Sequence, residues 1–260
     1  MGRCLVARMQ MKAWRVSACS VQGVSHIKTD QPCQDANEWR VKDSVLLAAI
    51  ADGAGSAKES QRGATLACRT AIELLASEFP VPANKSAPEL FNFLREAFSA
   101  AREAILAEAK SSNLPIRELS CTLILVATWE DGAVAAQIGD GAALILKPTG
   151  EMEALTRPAH TEYLNETTFI TAEDALASLQ TNSYSGEIKS LAMFTDGLQM
   201  LALKMPDAQP HQPFFSPLMK FIEAQEDDVM RQDQLQKFLT SPRITDRADD
   251  DLTLLLATLV

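Results

Sequence analysis

The chain has 260 residues, of which 47% are hydrophobic and 22% charged, a length and composition that allow a large domain to bury a core. Its formal net charge of −10 repels the phosphates of nucleic acid and of anionic lipids. We therefore expect no nucleic acid and no membrane among its partners. Any cluster of its acidic residues in a cleft would attract cations instead.

The cysteines and the N-terminus bear on the cellular compartment. Five cysteines are present without a CxxC pair, which argues against a disulfide framework and against a zinc site. No apolar stretch approaches the roughly 20 residues of a membrane span, and the N-terminus lacks the apolar segment of a secretion signal. These features predict a cytoplasmic protein in which residues 1–10 are disordered and residues 11–260 form a single domain.

Hydrophobic periodicity predicts the elements in chain order. They are strands at 13–21 and 45–51, helices at 59–79 and 88–110, and strands at 121–129, 134–138, 142–146, 188–194 and 252–259. The short connections EDG at 130–132 and GDG at 139–141 have the composition of hairpin turns, so we expect a largely antiparallel sheet.

A polar, proline-rich stretch interrupts this pattern at 206–247. It contains two short helical patterns, at 218–224 and 232–239. We interpret the stretch as a helical insertion within the same domain.

Acidic residues recur where apolar strands end. The pattern occurs in IADGAG at 50–55, QIGDG at 137–141 and MFTDG at 193–197, and three aspartates at 249–251 precede the last strand. A single Asp-Gly after a strand is more often a turn than a ligand, and for Asp140 the two interpretations are equally supported. Four such strand ends in one chain favour convergence on a divalent cation, and carboxylates suit Mg²⁺ and Mn²⁺.

The chain lacks the patterns of other hydrolytic sites. Its three histidines show no metal-binding spacing, and no serine lies in a GxSxG turn. A carboxylate cluster without a protein nucleophile indicates metal-activated water attacking a phosphoryl group.

Six motifs, in order, resemble the type-2C, metal-dependent (PPM) Ser/Thr protein phosphatase family. They are QDA at 34–36, ADGAG at 51–55, CTLIL at 121–125, IGDG at 138–141, FTDG at 194–197 and DDLTLLL at 250–256. GVSH at 23–26 with CQDA at 33–36, and HTEYLNETTF at 160–169, are similar to the bacterial branch that often accompanies a cognate Ser/Thr kinase.

The resemblance implies a fold, a reaction and a substrate. The fold would be α+β, an α-β-β-α sandwich with metals at one end of two packed antiparallel sheets. The reaction would be hydrolysis of phosphoserine and phosphothreonine by a hydroxide that bridges two Mn²⁺ or Mg²⁺ ions. The substrate would be a phosphorylated protein, such as the cognate kinase or its target.

The resemblance also assigns roles to individual residues. Asp52 would bridge both metals, and the carbonyl of Gly53 would bind the second. Asp196 and Asp250 would complete the first metal's site, while Asp35 would orient metal-bound water. Asp140 falls where bacterial relatives place a third, weaker metal.

Three departures from the family pattern concern the second metal, the general acid and the phosphate. Gln34 replaces the glutamate that usually serves the second metal, so that metal would bind more weakly. Ala54 replaces a histidine that could protonate the leaving group. The arginine that usually holds the phosphate is absent, and His26 or Lys28 could replace it. For His26, this role and a structural role are equally supported.

Two alternative functions remain. Gln34 and Ala54 favour a catalytically weak binding or regulatory module, whereas the presence of Asp52, Asp196 and Asp250 favours an enzyme. A two-metal nuclease would use similar carboxylates, but the charge of −10 disfavours it.

Overall fold

The computed structural model describes residues 12–82, 85–158 and 167–260. Residues 1–10, predicted to be disordered, lie outside these ranges. The strands are β1 (Trp14–Val21), β2 (Ala36–Lys42), β3 (Val45–Ala51), β4 (Leu123–Trp129), β5 (Gly132–Ile138), β6 (Ala142–Leu146), β7 (Met152–Ala154), β8 (Gln180–Ser185), β9 (Ser190–Phe194), β10 (Leu203–Lys204), β11 (Gln209–Pro210) and β12 (Leu252–Leu259). The helices are α1 (Val24–Thr29), α2 (Ser60–Glu78), α3 (Ala87–Ser111), α4 (Gln199–Ala202), α5 (Gln212–Ala224), α6 (Asp228–Leu239) and α7 (Pro242–Thr245).

Two five-stranded antiparallel sheets form the centre of the fold. Sheet A has the strand order β1-β12-β9-β6-β7, and sheet B has the order β2-β3-β4-β5-β8. Helices α2 and α3 cover the outer face of sheet B, and α5 and α6 cover the outer face of sheet A. This arrangement confirms the α-β-β-α sandwich predicted from the sequence. None of the helices in the described ranges has the length and apolar character needed to cross a bilayer.

The alternation of side chains along β3 shows how the layers are built. Leu47 and Ala49 belong to the cluster beneath α2 and α3, whereas Leu46 and Ala48 belong to the cluster between the two sheets, together with Leu255. Successive side chains of a strand point to opposite faces, so both faces of β3 are buried. This explains why its sequence is an unbroken apolar run.

Helix α3 has clear start and packing signals. Its first turn carries a capping box in which the amide of Ser86 donates to the carboxylate of Glu89 (2.9 Å). Leu94, Phe98 and Ile105 form part of a fully buried stripe, and their spacing of four and seven places them on one helix face.

Five strands were not predicted, namely β2, β7, β8 and the two-residue strands β10 and β11. Strands β2 and β8 are the edges of sheet B, and most of their side chains are partly or fully exposed. Edge strands with polar side chains lack the apolar signal used to recognise strands, and they also discourage pairing with other chains.

The hairpin predicted at 139–141 is wrong, whereas the hairpin predicted at 130–132 is confirmed. Strand β5 pairs with β4 and β8 in sheet B, and β6 pairs with β9 and β7 in sheet A. The GDG segment therefore crosses from one sheet to the other. The buried side-chain amide of Gln137 supports this crossing by donating to the carbonyls of Gly139 (3.0 Å) and Gly141 (2.8 Å).

The two helical patterns predicted inside 206–247 fall within α5 and α6. Both helices pack on sheet A, through the buried side chains of Phe215, Ile222 and Leu235. The interpretation of 206–247 as an insertion in a single domain stays a prediction.

Replacement of Gly139 by alanine tests the sheet crossing. Gly139 has φ +115°, and an added Cβ would lie 2.4 Å from Cβ of Thr122. Gly150 has φ +88° with open space around it, so Gly150→Ala is the matched control. We expect Gly150→Ala to cost about 1 kcal/mol of unfolding free energy and Gly139→Ala roughly 2 kcal/mol more. Urea unfolding measures both, and equal losses would contradict the crossing.

Candidate metal centre

Three aspartates from three strand ends meet at one end of the sandwich. Asp52 follows β3, Asp140 follows β5 and Asp196 follows β9. One carboxylate oxygen from each lies within 4.8 Å of the others. Sheet B supplies the first, sheet A supplies the third, and Asp140 lies on the crossing between them.

The main chain around Asp52 is held by Thr122. The amide of Asp52 donates to Oγ1 of Thr122 (2.9 Å), and the amide of Thr122 donates to the carbonyl of Asp52 (2.8 Å). Gly53 lies opposite Cys121 in an isolated antiparallel β-bridge. The Gly53 carbonyl accepts no backbone hydrogen bond from the described residues. That carbonyl oxygen is available to a ligand.

Asp35 is buried beside this cluster. Oγ1 of Thr195 donates to Oδ2 of Asp35 (2.7 Å) and accepts from the amide of Thr253 (3.0 Å). Oδ1 of Asp35 is buried, with no hydrogen-bond partner among the described residues. One oxygen is thus fixed, and the other is available to water or a ligand.

Burial and mutual repulsion raise the pKa values of the central carboxyls. Burial raises the pKa of Asp35 to about 7. Burial also raises the pKa of Asp52 well above its usual range, and the charges of Asp35 and Asp196 add to this. For Asp196, burial and then the charges of Asp140 and Asp250 raise the pKa to about 6. A bound cation would offset this repulsion.

Asp140 is tied to a neighbouring loop and to the first residue of α4. Oγ1 of Thr167 donates to Oδ2 of Asp140 (2.7 Å), and the side-chain amide of Gln199 donates to its carbonyl. Oδ1 is buried, with no partner in the described part of the chain. Residues 160–166 of the HTEYLNETTF motif lie outside the described residues.

Asp250 lies at the edge of the cluster. Its side chain is exposed, and its Oδ1 accepts from the amide of Asp251 (2.8 Å). It does not belong to the group of three, but it lies close enough for its charge to raise the pKa of Asp196.

Gln34 is buried next to the centre. Its side-chain amide donates weakly to the carbonyl of Ala57 (3.4 Å), and its Oε1 has no partner among the residues that the structure describes. An added Cβ at Gly53 would lie 2.6 Å from the Gln34 carbonyl, so the two segments are in close contact.

The residues considered for phosphate binding and proton transfer lie in different surroundings. His26 is buried in α1, with Nδ1 2.8 Å from Oδ2 of Asp251. Lys28 is exposed. Ala54 is buried and donates its amide to the carbonyl of Ser120 (2.9 Å).

The site suits hard divalent cations. Three buried oxygens, namely Oε1 of Gln34, Oδ1 of Asp35 and Oδ1 of Asp140, have no partner in the described residues. The charged groups that converge there are carboxylates. An all-oxygen donor set is the kind that Mg²⁺ and Mn²⁺ prefer.

Comparison with known proteins identifies the family. The family model described as Protein phosphatase 2C matches residues 22–240. The chain is also 36% identical over 257 residues to Serine/threonine-protein phosphatase 3 of Escherichia coli (strain K12), covering 94% of this chain and 98% of the relative. The chain belongs to the protein phosphatase 2C family.

Solved structures share the fold of this protein phosphatase 2C member. A bacterial serine phosphatase matches with a TM-score of 0.65 at 14% identity, covering 94% of this chain and 97% of that one. The serine/threonine phosphatase Stp1 of Staphylococcus aureus matches with a TM-score of 0.63 at 15% identity, covering 100% and 99%. PppA, a regulatory component of T6SS in Pseudomonas aeruginosa, matches with a TM-score of 0.60 at 17% identity, covering 96% and 99%. The family resemblance predicted from the sequence is confirmed, while the narrower bacterial-branch motif stays a prediction.

Sequence reasoning missed the polar residues that hold the site of this family member. Thr195 itself was not singled out. The sequence indicates Asp251 only as one of the three aspartates at 249–251, Thr167 only as a candidate substrate contact, and Thr122 only as a core strand residue. Thr122 is indeed buried, but its hydroxyl also bonds the amide of Asp52. Thr195 lies in the FTDG motif directly before Asp196. Its position beside a predicted metal ligand was the sequence signal that could have identified it.

The raised pKa values predict how pH affects the metal-free protein. Asp35 binds protons more tightly in the folded than in the unfolded chain, so the unfolding free energy falls as pH rises from the ordinary value of 3.8 toward about 7. We expect a loss on the order of 2 kcal/mol across this window, recovered by adding Mn²⁺ at the upper end. Urea unfolding of the chelator-treated protein measures both effects.

The controls for this measurement are two neutral isosteres. Asp35→Asn is expected to reduce the pH dependence, leaving the part due to Asp52 and Asp196, whereas Asp131→Asn, at the exposed turn between β4 and β5, is expected to keep it in full. Stability that rises with pH in the wild type would contradict the prediction.

Proposed function

We propose that this member of the protein phosphatase 2C family hydrolyses phosphoserine and phosphothreonine in proteins and depends on two divalent metal ions, Mn²⁺ or Mg²⁺. The observation that carries the proposal is the convergence of Asp52, Asp140 and Asp196 within 4.8 Å. The expectation that the protein is an enzyme agrees with the family match and with the relative's name.

The donor oxygens suggest how the ions are held. Asp196 and Asp250 would hold the first ion, and Asp52 would be shared with the second. The Gly53 carbonyl and Oε1 of Gln34 would complete the second site, and Asp140 would serve a third, weaker ion. Bound divalent cations lower the pKa of water for attack on phosphorus and neutralise charge on the phosphoryl oxygens.

Asp35 would orient the attacking water. Its Oδ2 is fixed by Thr195, which leaves Oδ1 as an acceptor of defined position. A carboxylate held in this way can receive a hydrogen bond from water without reorganising during the reaction.

His26 would contact the substrate phosphate or the leaving oxygen. Its Nδ1 faces Asp251, and Nε2 has no hydrogen-bond partner among the described residues. Ala54 carries no proton donor in its side chain, so it cannot act as the general acid found in many relatives. Lys28 is exposed and carries no contact that supports a specific role.

The binding-module and nuclease alternatives are less well supported. Keeping Asp35, Asp52 and Asp196 together destabilises the metal-free fold, because burial and repulsion raise their pKa values. A module that binds no metal would gain nothing from this cost. A nuclease would be at odds with the family match.

The substrate would be a phosphorylated protein. A cognate Ser/Thr kinase, or the target of such a kinase, fits the resemblance to the bacterial branch. The cytoplasm would be the place of action, in keeping with the free cysteines Cys19, Cys33, Cys68 and Cys121.

Metal-dependent turnover tests the proposed activity. We expect wild-type protein to release phosphate from p-nitrophenyl phosphate and from a phosphothreonine peptide only when Mn²⁺ or Mg²⁺ is added. Asp52→Asn and Asp196→Asn should each lower kcat about 100-fold or more, because each removes a negatively charged ligand. Asp131→Asn is the matched control and should keep wild-type turnover. Metal-independent turnover, or no turnover by folded wild type, would refute the proposal.

Gln34→Glu tests the second metal position without relying on turnover. The carboxylate of glutamate adds a negative charge, whereas the amide of Gln34 offers only a neutral oxygen. We therefore expect Mn²⁺ to bind roughly 10-fold more tightly at the second metal position. Isothermal titration calorimetry measures the change. Gln61→Glu, on the exposed face of α2, is the control, and unchanged binding in Gln34→Glu would place Gln34 outside the metal site.

A further inference from the structure

Asp251 is a buried carboxylate that joins three separate segments. Its side chain is 2% exposed. Its Oδ1 accepts from the amide of Gly23 (2.6 Å), and its Oδ2 accepts from the amide of Gln34 (2.5 Å) and faces Nδ1 of His26 (2.8 Å). The donors come from the loop before α1, from α1 itself and from the segment before β2. No role for this residue follows from the metal site as described.

The segment that carries Asp251 is in tight contact with the start of α1. An added Cβ at Gly23 would lie 2.2 Å from the carbonyl carbon of Asp250. The amide and hydroxyl of Ser25 both donate to the carbonyl of Asp249 (2.8 and 2.7 Å). Helix α1 is therefore seated on residues 249–251, and its position relative to Asp250 is fixed by several bonds.

We propose that Asp251 is a positioning residue for His26 in the reaction. Its carboxylate holds the imidazole with Nδ1 protonated and facing inward, so that Nε2 points away from Asp251 and is left for the substrate. This inference rests on the proposed phosphatase activity, since it gives His26 a partner that orients its contact with the phosphoryl group.

The geometry favours orientation over simple packing. The two ring nitrogens of histidine lie on opposite sides of the imidazole, and the hydrogen bond at one determines which proton or lone pair the other presents. A carboxylate behind a catalytic histidine fixes both the tautomer and the ring orientation. Because Oδ2 also bonds the amide of Gln34, the ring is held next to the backbone that leads to Asp35.

Asp251→Asn removes this arrangement with a minimal change of shape. Asparagine has one acceptor oxygen, so it cannot accept at the same time from Gly23 on one side and from Gln34 and His26 on the other. Asp249→Asn is the matched control, because the Asp249 side chain is exposed and only its backbone carbonyl binds α1.

A double-mutant cycle tests whether Asp251 acts through His26. We expect Asp251→Asn and His26→Ala each to lower kcat/KM for a phosphothreonine peptide roughly 10- to 100-fold, and the double variant to be no worse than the poorer single one. Asp249→Asn should match the wild type. The inference would be overturned if the losses of the two single variants multiply in the double variant. It would also be overturned if Asp251→Asn binds Mn²⁺ more weakly and His26→Ala does not, because Asp251 would then support the metal site and not His26.

Histidine ¹⁵N spectra give a readout that does not need turnover. The chain has three histidines, so His26→Ala assigns the ring signals of His26 by difference. We expect Nδ1 of His26 to carry a proton in the wild type and in Asp249→Asn, and the ring signals to change in Asp251→Asn. An unprotonated Nδ1 in the wild type would overturn the inference even if Asp251→Asn does not fold. An inactive wild type with the expected spectrum would refute the proposed function and leave the pairing of Asp251 with His26 intact.

Discussion

Repulsion between carboxylates shielded from water is the constraint on which the rest of this structure depends. Asp35, Asp52 and Asp196 each have a pKa above the usual range, chiefly because they are fully or partly withdrawn from water. The fold resists their separation by anchoring two of them locally. Thr195 donates to Asp35, and Thr122 binds the main chain of Asp52 on both sides. A bound cation would offset the remaining repulsion and thereby stabilise the cluster.

The sandwich supplies the rigidity that this cluster requires. Each sheet has one face against helices and the other against its partner sheet, so strands such as β3 and β12 are buried on both sides. The carboxylates lie just beyond the ends of these strands, where the backbone is still held by neighbouring pairs. Because residues 139–141 cross from sheet B to sheet A, Asp140 lies between the ends of the two sheets. No additional strand or helix is needed to place it there.

The sequence predicted the buried parts well because burial leaves an apolar signal. Strands β3, β6 and β12 and both long helices were found, and the acidic residues at their ends led to the candidate site. Polar edge strands β2 and β8 gave no such signal. Nor could the sequence reveal that Thr195 bonds Asp35, or that Asp251 bonds Gly23, since these partners are 160 and 228 residues apart. Short polar motifs show that a residue is present but not which distant residue it contacts.

The position of β12 has a consequence for how the protein is made in the cell. Strand β12 lies between β1 and β9 in sheet A, although it is synthesised after both of them. Until it inserts, β1 and β9 have open edges that can pair with other chains, and Asp250 and Asp251 are absent from the site. Until residues 249–259 are synthesised and folded, the nascent chain therefore exposes strand edges that can aggregate, and Asp250 cannot join the acidic cluster.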